Sequence, residues 1–221
     1  MKPVNTHLIA ALAAGEESTR LKAALAIGSH PEPGLVDILV ARCAIEPDFY
    51  VRDMLTWALT RLPSEITVPK LIVELRSERT QARSQALHTL SKIQDSSVWA
   101  AITRSLLRDP DDEVARSAWR AAVVLVPHGQ EKDLAEELAA QLGRGDREVQ
   151  LSLSRSLISL GEEVIVPALR KAVASGDPRV QAHASATERL LRNPEARSEN
   201  AVNEAKRIFA VGNKGKAGTA Y

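Results

Sequence analysis

The chain has 221 residues, of which 44% are hydrophobic, 26% charged and only 3% aromatic, with 29 Lys and Arg against 28 Asp and Glu. That balance describes a soluble folded chain and excludes a disordered acidic tail, a collagen-like repeat and a low-complexity linker. A net charge of +1 is too small for a generally basic nucleic-acid surface. Every acid precedes Ala205 while Lys206, Arg207, Lys214 and Lys216 follow it, so the first 204 residues carry 25 cations against 28 acids.

In chain order, the apolar stretch 8–14 is too short to span a bilayer and reads as an ordinary first helix, with no membrane role. Cys43 is alone, so neither an intrachain disulfide nor a Cys-based zinc site is available, and the expected setting is the reducing cytoplasm. Amphipathic helices are expected near 34–44, 68–75, 99–107, 132–142 and 166–173. Each is followed by a turn and a second helix. Turn punctuation stands at Glu46-Pro47-Asp48, Asp109-Pro110-Asp111, Gly143-Arg144-Gly145-Asp146 and Ser175-Gly176-Asp177-Pro178. No stretch alternates as a strand. Beyond Pro194, residues 195–211 hold enough apolar positions for an amphipathic capping helix, and 212–221 read as a flexible tail.

A repeat runs through this order. Asp stands three residues before Val at Asp48/Val51, Asp111/Val114, Asp146/Val149 and Asp177/Val180, with weaker copies at Glu16/Thr19 and Arg79/Ala82. The anchors 19, 51, 82, 114, 149 and 180 are separated by 32, 31, 32, 35 and 31 residues, which is one helical hairpin per unit. The Asp suits an N-cap. Four residues after the anchor stand Ala23, Leu55, Ala86, Ala118, Leu153 and Ala184. Seven after stand Ala26, Ala58, Thr89, Ala121, Ser156 and Thr187. Eight after stand Ile27, Leu59, Leu90, Ala122, Leu157 and Glu188. Helical spacing with small residues at two columns predicts closely stacked second helices. Glu188 marks the sixth unit as atypical.

The pattern of Asp, then Val-Arg, then a small residue and Ala-Leu is cleanest from Asp48 to Leu59 and resembles the short HEAT-like repeats, including those of the phycobilisome-lyase-like group, over residues from about 5 to 193. The resemblance implies a single right-handed α-solenoid of about six hairpins over residues 1–194, with first (A) helices convex and second (B) helices concave. Arg79 in the Asp column and Ala115, Gln150 and Gln181 in the Arg column leave any inter-repeat Asp–Arg ladder incomplete. In such repeats the arginine column, here Arg20, Arg52 and Arg83, has a structural role.

Six residues after the anchor, Trp57, His88, Arg120 and Arg155 are expected to form a row across the concave groove, flanked by Asp53 and Arg116 two residues after it. Two guanidinium forks, a flat indole face and an orienting carboxylate suit an acidic or aromatic group on another protein or peptide. The competing reading makes the arginines a solvated face and lets the next repeat cover Trp57 and His88; Trp99 and Trp119 read as packing residues. No catalytic residue, metal ligand or cofactor site is expected. The histidines His7, His30, His88, His128 and His183 are scattered without a His-x-x-x-His pair, and neither a Gly-rich phosphate loop nor a Gly-x-Ser-x-Gly elbow occurs. The expected function is a non-enzymatic interaction scaffold or adaptor. The alternative is nucleic-acid binding in the manner of HEAT-like alkylpurine DNA glycosylases, whose cleft uses Trp, Asp and Arg. The negative repeat body opposes it.

Overall fold

Four aspartates start four helices. Asp48 accepts from the Val51 amide, Asp111 from Glu113 and Val114, Asp146 from Glu148 and Val149, and Asp177 from Arg179 and Val180. Each carboxylate satisfies amides that the first turn leaves without partners. The two weaker copies behave differently: Glu16 accepts from the Thr19 hydroxyl at 3.1 Å, and Arg79 makes no side-chain cap.

The computed structural model describes residues 3–193. The expected capping helix and tail lie outside the described residues. Within them, α1 (Pro3–Leu12) pairs with α2 (Glu17–Ser29), α3 (Val36–Cys43) with α4 (Phe49–Thr60), and α5 (Ser64–Glu74) with α6 (Thr80–Ile93). In the same way α7 (Arg104–Leu107) pairs with α8 (Asp112–Leu125), α9 (Glu131–Ala139) with α10 (Arg147–Ser159), and α11 (Glu162–Val173) with α12 (Pro178–Arg192). Short 3-10 turns at Pro33–Leu35 and Ser96–Ala101 precede α3 and α7, and no strand occurs among the described residues. This is an all-α solenoid of six hairpins.

One expected helix is broken. Residues 99–107 divide into the end of a 3-10 turn and the single turn α7, because Ile102 (ψ 89°) and Thr103 (ψ 159°) leave helical geometry between them. Both are β-branched and lose side-chain freedom in a helix, and Ile102 is buried where it stands.

The B helices touch in unbroken succession from α2 through α4, α6, α8 and α10 to α12. All six residues four after the anchor are buried. Ala58, Thr89, Ala121, Ser156 and Thr187 in the column seven after it are buried too, with Ala26 of the first hairpin half-buried. Small side chains at that column let neighbouring helices approach, and the Thr56 and Thr89 hydroxyls meet at 3.4 Å across the α4–α6 contact. In the column eight after the anchor, Glu188 alone is not buried.

Hydrogen bonds define the arginine column as structural. Arg20 donates to the Ala14 and Gly15 carbonyls of its own turn and forks onto Glu46 of the next repeat at 2.8 and 2.9 Å. Arg83 repeats this geometry, donating to the Ser77 and Glu78 carbonyls and forking onto Asp109. Arg52 reaches only the Glu46 and Pro47 carbonyls, and the junction from the second repeat to the third is closed instead by Gln81, which donates to the Cys43 and Glu46 carbonyls. Between the fourth and fifth repeats Arg144 donates to Asp112 and the Asp109 carbonyl while its guanidinium lies 5.8 Å from the Trp119 ring centre. Trp119 is fully buried and donates to the Leu107 carbonyl, as a packing residue should.

Glu46 is the centre of the best-connected junction. Its side chain is 0% exposed and accepts from Arg20, Arg42 and the Asp48 amide. Burial works against its charge, but the Arg20 fork, the Asp48 amide and Arg42 outweigh it and hold the carboxyl down to about 2. A carboxylate lowered on folding contributes stability that is full above its unfolded value and is lost as pH falls toward the folded one. Urea midpoints should therefore fall from about pH 4.5 toward about pH 2 in the native chain. Glu46→Gln should flatten part of that slope while costing about 3–5 kcal/mol at neutral pH, since it strands Arg20. An unaltered acid limb in the variant would contradict the assignment.

Candidate functional site

The column six residues after the anchor falls on successive B helices: Leu25 on α2, Trp57 on α4, His88 on α6, Arg120 on α8, Arg155 on α10 and Ala186 on α12. Leu25, Arg120 and Arg155 are exposed, while Trp57, His88 and Ala186 are half-buried.

Trp57 leans back toward the first repeat. Its ring lies over Gly28 of α2, where any Cβ would overlap the indole and stand 3.1 Å from the Ala58 Cα. The neighbour that covers Trp57 is thus the preceding repeat and not the next one, and the residue as a whole is half-buried.

From α4 to α8 the structure brings several candidate residues together. His88 is depressed to about 4, first by burial and then by Arg120 and Lys92, with Asp53 pulling the other way. The imidazole is therefore neutral near pH 7. Arg120 donates to the Ser117 hydroxyl at 3.1 Å. Its pKa is lowered, first by desolvation and then by Arg116 one turn earlier, and Glu113 offsets this in part. Arg116 donates to Glu113 at 2.6 Å and keeps a buried Nε with no hydrogen-bond partner. Among the described residues no carboxylate bonds to Arg120, so two guanidiniums share one helix face with a single acid between them.

Asp53, His88, Arg116 and Arg120 therefore form one electrostatic cluster. Arg155 extends the column on α10 but makes no hydrogen bond or ion pair among the described residues, and Trp57 sits at the other end against α2. Lys92 and Glu113 belong to the cluster and escaped the sequence reading. Lys92, four residues after His88, was recoverable from helical spacing.

No conventional catalytic set appears among the described residues. Ser154 and His183 are close, with Oγ 3.0 Å from Nε2, and both are buried. The Gln150 carbonyl lies 2.9 Å from the same Nε2 and can only accept, so that nitrogen carries the proton and cannot serve as a base for the serine. Burial pushes the Cys43 thiol up to about 12, which leaves it protonated. Among the described residues no group of three or more His, Cys, Asp or Glu could hold a metal, and no helix is long and apolar enough to cross a membrane.

The fold defines a helical-repeat protein. Residues 44–123, from the approach to α4 through most of α8, match the family model described as HEAT repeats. Similar solved structures include the complex of CpcE and CpcF of phycocyanin lyase from Nostoc sp. PCC7120, at 22% identity over 86% of this chain and 77% of that one, with a TM-score of 0.49. Two engineered proteins also match. One is 24% identical over 89% of this chain and 98% of its own, with a TM-score of 0.47; the other is 16% identical over 85% and 97%, with a TM-score of 0.44. None of the curated proteins matches the chain.

Gly28→Ala tests the Trp57 placement. The added methyl should displace the indole from α2, red-shift the part of the fluorescence that Trp57→Phe removes, and cost about 1–3 kcal/mol through overpacking. Unchanged emission would mean that the ring does not rest there.

Proposed function

We propose that the chain is a non-enzymatic interaction scaffold or adaptor whose B-helix face takes an acidic segment of another protein. A helical-repeat fold supports a protein-interaction role in general, and the finer assignment is supported by one observation above the rest. Arg120 and Arg116 crowd one face of α8 with a single carboxylate between them, and Arg116 retains an orphan Nε. A carboxylate arriving from outside would relieve the like-charge repulsion and pair with Arg120, which is exposed and bonds only to the Ser117 hydroxyl, and charge-assisted hydrogen bonds of this kind are worth about 1.5–3 kcal/mol each.

Arg155 adds an uncommitted fork along the same column, and half-buried Trp57 stands at the far end. The unbroken contact of the B helices fits their lying on the inner side of the curve, and their fixed positions keep the ordering cost of binding low. Polyphosphate backbones would need a denser cationic surface than 25 cations against 28 acids in the first 204 residues supply.

A Glu-rich synthetic peptide and a short DNA duplex, titrated separately, test this reading. The peptide should bind, and the combined replacement of Trp57, Arg120 and Arg155 by Ala should weaken it by more than about tenfold, the equivalent of 1.4 kcal/mol, while circular dichroism stays helical. Equal binding by the triple variant would move the site off this face, and preferential, steeply salt-dependent capture of the duplex would favour nucleic acid instead.

A further inference from the structure

The joint between the fifth and sixth hairpins differs from the others in being built around one buried histidine. His183 of α12 is 3% exposed. Its Nδ1 accepts the Gly143 amide at 3.0 Å, from the turn between α9 and α10. Gly143 holds a φ of +84° there, and a Cβ would stand 3.2 Å from the Val180 nitrogen, so the turn is pressed onto α12. On the other side of the ring, Nε2–H donates to the Gln150 carbonyl at 2.9 Å and toward Ser154 Oγ at 3.0 Å.

The remaining protons then have one arrangement. Thr187 donates its hydroxyl hydrogen to the His183 carbonyl at 2.9 Å, so at the 2.8 Å contact between the two hydroxyls Ser154 is the donor. Each side-chain polar atom of this His183–Ser154–Thr187 network is satisfied when the ring is neutral with its hydrogen on Nε2. A second proton would sit on Nδ1, facing the Gly143 N–H, donor against donor, at a buried ring.

We propose that His183 is a proton-operated latch that holds the sixth hairpin, α11 and α12, against α10. Protonation sets the ring against the Gly143 amide and loosens that hairpin while the rest of the stack stays closed. Arg155, on α10, borders this joint, so opening would reshape the C-terminal end of the B-helix face. The latch itself stands on the hydrogen-bond geometry and does not depend on what that face binds.

The charged groups on the packed elements leave the ring to its own chemistry. Asp146 of the turn, Arg147 and Arg155 of α10, Glu162, Glu163, Arg170 and Lys171 of α11, and Asp177, Arg179, Arg189 and Arg192 at the cap and along α12 occupy exposed positions. Half-buried Arg144 turns back to Asp112 and the Asp109 carbonyl, and Glu188 faces Arg192. Half-buried Glu148 and the others play no part in the balance at the ring, where burial lowers the proton affinity and the Gln150 carbonyl offsets it in part. A histidine lowered in the closed state leaves the joint at full strength above its ordinary value, near 6.5, and weakens it as pH falls from there toward the closed-state value.

Nitrogen-resolved NMR of the imidazole, with amide exchange corrected for its intrinsic pH dependence, tests the latch on the full chain. Near pH 7.5 the ring should show the neutral Nε2–H form. Below about pH 6.5, exchange in α11 and α12 should rise by up to about tenfold per pH unit while α4, α6 and α8 keep their protection. His183→Leu should abolish that dependence. Ser154→Ala, which leaves the ring and Gly143 in place, should keep it, and if the leucine variant does not fold, the native chain and Ser154→Ala decide. An Nδ1–H tautomer, titration of His183 without faster exchange in α11 and α12, or the same acid response in His183→Leu would overturn the proposal.

Discussion

The close approach of successive B helices is the constraint from which the other features follow. Ala58, Thr89, Ala121, Ser156 and Thr187 carry little bulk, so the backbones they belong to can come together and the larger aliphatics beside them, Leu59, Leu90 and Leu157, can close the remaining space. A hairpin alone cannot bury its apolar stripe on both sides. Each repeat therefore depends on its neighbours, and equivalent positions of successive B helices are brought side by side along the stack.

Packing of small residues fixes distance but not which turn meets which. That selection falls to polar contacts, and they change from joint to joint: the Arg20–Glu46 fork, the Gln81 amide, the Arg83–Asp109 fork, Arg144 on Asp112, and the His183 network. Buried ions of this kind add little net stability over apolar packing, yet a wrong pairing would strand a charge. The alternation explains why the stack tolerates an incomplete arginine column: where Arg52 does not cross to the next repeat, Gln81 reaches back.

The periodic part of this design was legible in the residues themselves. Anchor spacing gave six hairpins, and four aspartates announced their helix starts, because capping is a local bond spanning three residues. What escaped was non-local. Glu46 and Asp109 read as turn punctuation before proline, and only folding brings Arg20 and Arg83, each 26 residues earlier, onto them. The break at Ile102–Thr103 was hidden because an apolar run fits either a helix or a turn that buries one residue. His183 gave no signal, since its partners come from the preceding hairpin. For the candidate surface, the column six after the anchor placed His88 and Arg120 near one another, and nothing in the pattern showed that Trp57 would lie back over Gly28.

The side-by-side placement of equivalent positions is open to a direct distance measurement. Spin labels at Leu25 and Arg155, exposed residues of one column on α2 and α10, are separated by four inter-helix steps. Pulsed dipolar spectroscopy should give a single distribution centred at about 30–40 Å, the product of four spacings of about 8–10 Å less a modest curvature. A distribution centred below about 20 Å would mean that the chain closes on itself, and the shared surface would not exist.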